Sequence, residues 1–251
     1  MIAFPNAKIN LGLNVLRRRE DGYHDISTVF VPYKGLSDVL EVVFADEPGM
    51  FEYGLVTGCE PEKNLCFKGW RLMAEKYGVG PVGIHLYKNI PTCSGLGGGS
   101  SDAAFTLRLL NDLFELGLSD ETLAADAATL GSDCAFFIYN RPMIASGRGE
   151  ILQDCKIPLQ GYRIEVVVPP VHVSTAEAYR GVTPAIPATP LEDIVKMPVE
   201  QWRGRLVNDF EASILPAHPE IAAAKDAFYA RGAAYASMSG SGSSVFALFR
   251  E

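Results

Sequence analysis

The most constraining feature of the sequence is the run Pro91-Thr92-Cys93-Ser94-Gly95-Leu96-Gly97-Gly98-Gly99-Ser100-Ser101-Asp102-Ala103-Ala104. Before it, Val82, Ile84 and Leu86 alternate as in a strand that runs into Pro91. After it, Ala103, Leu107, Leu110 and Phe114 fall on one helical stripe that Gly117 stops. The run therefore joins a strand to the start of a helix. Glycines let backbone N–H groups approach an anion without Cβ interference, and a helix N-terminus adds oriented donors and partial positive charge. Ser100 and Ser101 add hydroxyls for phosphate oxygens or a metal's water shell. Spacing excludes two other loops. There is no G-x-x-x-x-G-K-[ST], and Asp102 takes the last slot of a G-x-G-x-x-G counted from Gly97. The second exclusion removes a Rossmann oxidoreductase.

Alternation recurs at the start of the chain. Ala7, Ile9, Leu11, Leu13 and Val15 interleave with Lys8, Asn10, Gly12 and Asn14, which predicts a strand with one apolar face. Lys8 and Asn10 share the face opposite the core. Arg17–Gly22 reads as a turn, Ser27–Val31 as the returning strand and Val39–Phe44 as a further one. Helices are predicted over Asn64–Tyr77, ended by Gly78, and from an N-cap at Ser119 to near Gly131, leaving Asp133 just beyond the stop. A strand at Tyr162–Val168, a proline-rich loop at Thr183–Pro190, a helix at Pro219–Arg231 and a strand at Val245–Phe249 complete the pattern. Strands and helices mix without a regular βαβ rhythm, which favours α+β in two packed lobes.

Composition sets the outer bounds. The 251 residues carry 22 basic and 30 acidic side chains, a net charge of −8, which argues against general binding to nucleic acid or anionic membranes. Five cysteines, an odd number with no C-x-x-C spacing, suit a reducing compartment and supply no zinc pattern. The chain opens Met-Ile-Ala-Phe-Pro, with no basic-then-apolar leader, and no apolar run reaches the ~18 residues of a membrane span. A cytoplasmic protein is expected.

The Pro91–Ala104 segment resembles the signature motif of the GHMP kinases, the galactokinase, homoserine, mevalonate and phosphomevalonate kinase superfamily. Pro5-Asn6-Ala7-Lys8-Ile9-Asn10-Leu11, Asp21-Gly22-Tyr23-His24 and Leu130-Gly131-Ser132-Asp133-Cys134-Ala135-Phe136-Phe137 extend the resemblance over most of the chain. It implies a two-lobed α+β fold with the active site in the cleft between lobes. Residues 1–155 would form the N-terminal domain with the ATP phosphate loop, and 156–251 the C-terminal domain. It implies phosphoryl transfer from ATP, with Mg²⁺ delivered by the nucleotide, to a tertiary hydroxyl of a cytidine diphosphate-linked polyol in isoprenoid-precursor synthesis.

Residue by residue, the resemblance makes Asp133 the group that takes or orients the hydroxyl proton, and Lys8 its charge-stabilising partner. Pro91, Thr92, Cys93, Ser94, Gly95, Leu96, Gly97, Gly98, Gly99, Ser100 and Ser101 would hold the ATP phosphates. Asn64 would lie on the adenine side, with a helix N-cap as its other reading. Asn10, Tyr23, His24, Phe30, Thr175 and Tyr179 would contact the acceptor. Tyr23 and His24 would read the cytosine and Tyr179 would supply a second ring, while Phe30 alone reads equally well as core. Ser239-Gly240-Ser241-Gly242-Ser243 resembles the family's third motif, and Asn208-Asp209-Phe210-Glu211 a structural segment. Cys93-Ser94 departs from the small residues usual before Gly-Leu-Gly. No dedicated metal-ligand set is present. The expected partners are small molecules, in a monomer or weak homodimer. The rival readings are a GHMP kinase with a mevalonate-type acceptor and a nucleotide-binding regulator without catalysis. Tyr23-His24 argues against the first, and Lys8 with Asp133 against the second.

Overall fold

A computed structural model describes all residues, 1–251. In chain order the elements are β1 (Ile2–Ala3), β2 (Asn6–Arg18), β3 (His24–Ser37), β4 (Val39–Phe44), β5 (Gly49–Gly54), α1 (Leu65–Tyr77) and β6 (Val82–Lys88). Three helices follow: α2 (Gly98–Leu113), α3 (Asp120–Leu130) and α4 (Cys134–Tyr139). Then come β7 (Met143–Ser146), β8 (Ile151–Asp154), β9 (Tyr162–Val167), α5 (Thr175–Arg180), α6 (Leu191–Ile194), α7 (Glu211–Ala217), α8 (Pro219–Ala230), β10 (Tyr235–Met238) and β11 (Val245–Arg250).

The fold is α+β, and it divides into two compact units interleaved in sequence. The first comprises Met1–Ala7, Lys34–Thr92 and Gly97–Asn140. Its sheet has the order β1-β4-β6-β5. β5 and β6 are parallel, with Phe51 opposite His85, and α1 makes the crossover between them. Local chemistry sets the helix ends. Gly78 closes α1 in the left-handed conformation at φ 70°, and the Ser119 side chain accepts from the Thr122 N–H to start α3.

The second unit comprises Lys8–Tyr33, Cys93–Leu96 and Arg141–Glu251. It contains most of the sheet ordered β2-β3-β7-β8, and the whole antiparallel sheet β10-β11-β9. Its core gathers Leu13, Val15, Ile26, Phe210, Ile214, Ile221, Phe228, Met238 and Val245.

The alternation of residue types along β2 is not matched by alternating burial. Lys8, Asn10 and Asn14 are as buried as their apolar neighbours. The C-terminal loop lies along the strand's open edge: Asn10 N–H donates to Ser239 Oγ at 3.1 Å. At its far end the Asp209 carboxylate accepts from the Val15 N–H and the Asn14 amide. Alternation reports which residues share a face, not what lies over it.

Candidate functional site

The glycines of the loop between β6 and α2 are held by three different causes. Gly95 has φ 78°, and a Cβ there would lie 2.0 Å from the carbonyl oxygen of Ser239. Gly97 is the N-cap of α2 at φ 71°. A Cβ on Gly98 would meet Ile90 Cγ2 at 2.9 Å. Gly99 fits none of these: it is helical and exposed, and a Cβ would have nothing within 4 Å. Packing against a neighbour therefore does not account for it.

The first helical bond of α2 runs from Ser101 N–H to Gly97 O at 2.9 Å, so the N–H groups of Gly98, Gly99 and Ser100 have no partner within the helix. Ser101 Oγ is fully buried beside them with no hydrogen bond. The helix start thus leaves N–H donors without a helical partner, an arrangement that suits an anion.

Under this cradle lies a group the sequence reading missed. Lys88, the last residue of β6, bonds Asp38 and the Asp102 carboxylate (2.7 Å) in a buried triad. Asp38 also accepts the N–H of Asn89 and Ile90, which fixes the chain as it enters the loop. Burial drives the Asp102 carboxyl well above the usual range, against the lowering pull of Lys88. The available signal was an aspartate set among the buried alanines and leucines of α2.

The same unit brings Asp133 close to the cradle. Asp133 precedes α4, and its neighbour Cys134 hydrogen-bonds the Ser100 side chain. Burial, opposed by that bond, pushes the Cys134 thiol up to about 12. Asn64 is observed as the N-cap of α1: its Oδ1 accepts from Cys66 N–H at 2.8 Å, and its amide donates to Glu52.

In the second unit, Lys8 and Asn10 form a buried polar line, with exposures of 4% and 2%. Lys8 Nζ donates to Asn10 Oδ1, and Asn10 Nδ2 donates to Thr28 Oγ1 at 3.0 Å. Lys8 Nζ sits 5.0 Å from the centre of the Phe30 ring. Phe30 is itself 2% exposed, so it is a packed ring beneath the lysine and presents no open stacking surface. Lys8 N–H donates to Leu96 O at 2.9 Å, and Ser239 Oγ to Gly95 O at 2.9 Å. The Ser239–Ser244 loop thus holds residues 94–96 from one side and β2 from the other, with Ser244 N–H on Ser94 O. Asn208 braces that loop by donating to Met238 O and Gly240 O.

A ring cluster lies at the end of the β2–β3 hairpin. Tyr23 is 58% exposed. The Arg148 guanidinium lies over its ring, 5.1 Å from the centroid. His24 stacks on Tyr179 at 4.8 Å with planes 18° apart, and the edge of Phe210 backs Tyr179 at 4.9 Å. Tyr179 projects from α5, whose N-cap Ser174 accepts from Glu177 N–H, and Thr175 is exposed at the start of that helix. The hairpin is pinned by Arg19 and Arg17 on Asp25, which together hold its carboxyl below the usual range. No group of three or more His, Cys, Asp or Glu side chains is arranged to hold a metal ion.

Two family models match the chain: the GHMP kinases N terminal domain over residues 64–141 and the GHMP kinases C terminal region over 196–251. Among curated proteins, the 4-diphosphocytidyl-2-C-methyl-D-erythritol kinase of Bacteroides thetaiotaomicron is 49% identical, covering 99% of this chain and 92% of the relative. Its counterpart in Parabacteroides distasonis is also 49% identical, over 100% of this chain and 92% of the relative. A crystal structure of 4-(cytidine 5'-diphospho)-2C-methyl-D-erythritol kinase superposes with a TM-score of 0.82 at 37% identity, covering 99% of this chain and 90% of that one. The mevalonate kinase of Methanococcus jannaschii, at 14% identity and a TM-score of 0.69, shares the fold.

Proposed function

This chain belongs to the GHMP kinases, and on that premise we propose that it phosphorylates the tertiary hydroxyl of 4-diphosphocytidyl-2-C-methyl-D-erythritol with ATP. The observation that carries the choice of acceptor is the ring cluster of Tyr23, His24 and Tyr179. A mevalonate-type acceptor has no base to stack, whereas cytosine offers a π-face and a hydrogen-bonding edge. The full-length match to relatives of that name supports the same acceptor.

The reaction forms a bond from the acceptor oxygen to the γ-phosphorus and breaks the bond from that phosphorus to the β,γ-bridging oxygen. ADP leaves. Asp133 takes the hydroxyl proton or holds the hydroxyl in line. Lys8 offsets charge on the transferring group, and Asn10, Thr175, Tyr23, His24 and Tyr179 orient the acceptor. Positioning and charge neutralisation are most of what phosphoryl transfer asks of a protein. Residues 91–101 bind the ATP phosphates and Asn64 lies on the adenine side. Phe30 serves beneath Lys8 rather than on the base.

Mg²⁺ would come with the nucleotide and would neutralise charge on its phosphates, held by them and by water rather than by a dedicated set of side chains. Residues 1–155 and 156–251 act as the N- and C-terminal functional domains. The two family-model matches fall on either side of that boundary. All five cysteines are free, which fits a cytoplasmic setting, and no helix is long and apolar enough to cross a membrane. We expect a monomer or weak homodimer with small-molecule partners.

An ADP-release assay with a panel of acceptors tests the reading. Turnover with the cytidylylated erythritol and none with mevalonate is the expected result. The reverse pattern overturns the acceptor. ATP binding without turnover on any acceptor favours a regulator.

A further inference from the structure

We propose that Arg148 recognises the diphosphate of the nucleotide-linked acceptor. The inference rests on the cytidine reading above and assigns it a residue that the sequence motifs do not. Arg148 lies in the β7–β8 turn, Gly147-Arg148-Gly149-Glu150, and the turn is built around it. Both flanking glycines take positive φ, 66° and 111°, a conformation that side-chain-bearing residues adopt at a cost. Glu150 accepts the backbone N–H of Arg148, and Gly147 O accepts from Ile26 N–H at 2.7 Å, two residues from His24. The turn is thereby tied to the strand that carries the cytidine-reading pair.

The guanidinium itself is weakly engaged. It rests on the exposed Tyr23 ring, and its ion-pair distance to Glu150 is 3.7 Å, longer than a hydrogen bond. The neighbouring arginines differ: Arg17 and Arg19 are held on Asp25, and Arg19 also on Asp21. Arg148 therefore keeps a planar fork of donors beside the base-stacking ring, in a protein whose net charge is −8. A guanidinium fork matches phosphate oxygens two at a time. With Arg148 on one face of Tyr23, the base takes the other face. The 5′-linked diphosphate then emerges from the nucleoside within reach of a long side chain. The arginine serves first as a prop for the ring and then as a clamp for the anion.

The test uses cytidine and CDP as competitive inhibitors against the cytidylylated acceptor, in the full-length wild type and in Arg148→Met and Arg148→Glu. Met keeps an apolar cover over Tyr23 and removes the charge. The expected result is that R148M raises the CDP inhibition constant about tenfold, with cytidine and the ATP KM within about twofold, and that R148E weakens CDP further. Equal weakening of cytidine and CDP would make Arg148 a prop alone and overturn the proposal, as would no change in either. If neither compound competes in the wild type and the acceptor is not turned over, the cytidine reading fails and the proposal with it. If the wild type competes normally and R148M is unaltered, the proposal fails alone.

Discussion

Replacing Gly99 by alanine separates what the fold needs from what the ligand needs. Gly99 is the second residue of α2, helical and exposed, and an added methyl group would find no atom within 4 Å. For the fold the change is favourable: alanine gains about 0.5–1 kcal/mol over glycine in a helix. Unfolding entropy near ~2.1 cal/mol/K per residue sums to about 0.5 kcal/mol/K for a chain of this length, so the melting temperature should rise by about 1–2 °C. For the ligand it is unfavourable. On the proposed reading, phosphate oxygens come to about 2.9 Å from the helix N–H groups, and a methyl group in the open space at Gly99 would stand among them. The ATP KM should rise at least about tenfold, equivalent to roughly 1.4 kcal/mol. Thermal melting without ligand, beside ADP release at varied ATP, reads both signs on one sample. A lower melting temperature would mean that packing fixes this glycine after all. An unchanged ATP KM would mean that phosphate does not approach here.

The remaining predictions concern the other groups of the two units. Asp133→Asn should keep the ATP KM and lower kcat about a hundredfold or more, measured by ADP release; near-normal turnover removes Asp133 from the chemistry. Lys88→Met should cost about 3–5 kcal/mol in urea unfolding at neutral pH, because it strands Asp38 and Asp102 in a dry interior. A loss under about 1 kcal/mol would show that the triad adds little. The Asp25 carboxyl is lowered in the folded protein by Arg19 and Arg17, so its contribution is present above the ordinary carboxylate value and is lost as pH falls through the lowered one. Asp25→Asn should therefore show a shallower loss of stability below pH ~4 in acid titration followed by circular dichroism; a slope equal to the wild type's would contradict the assigned cause.

The sequence made local structure legible where one residue sets one feature. Ser119, Asn64 and Gly78 cap the helices that their side chains or φ angles predict, and β4 covers the predicted Val39–Phe44. Short elements escaped. α4 is six residues, fully apolar apart from its final tyrosine and too short to show a period, and β7 and β8 are four residues each. At the candidate site, motifs named the loop and both charged residues, but not what surrounds them. The Lys88–Asp38–Asp102 triad links residues 50 and 14 positions apart, and Arg148 meets Tyr23 from a different hairpin. Such pairings arise from topology, which spacing in one dimension does not carry.

The burial of β2 also has a consequence for biosynthesis. The Asn10 backbone N–H is paired by Ser239, 229 residues later, and the Asn14 side-chain amide by Asp209, 195 later. At roughly 5–20 residues per second, the first strand leaves the ribosome about 10–45 s before its last hydrogen-bond partner exists. Until then the backbone N–H groups of Asn10 and Val15 and the Asn14 amide lack their native partners, an open strand edge that can pair wrongly. Closing the second unit therefore waits on pairings between residues far apart in the chain.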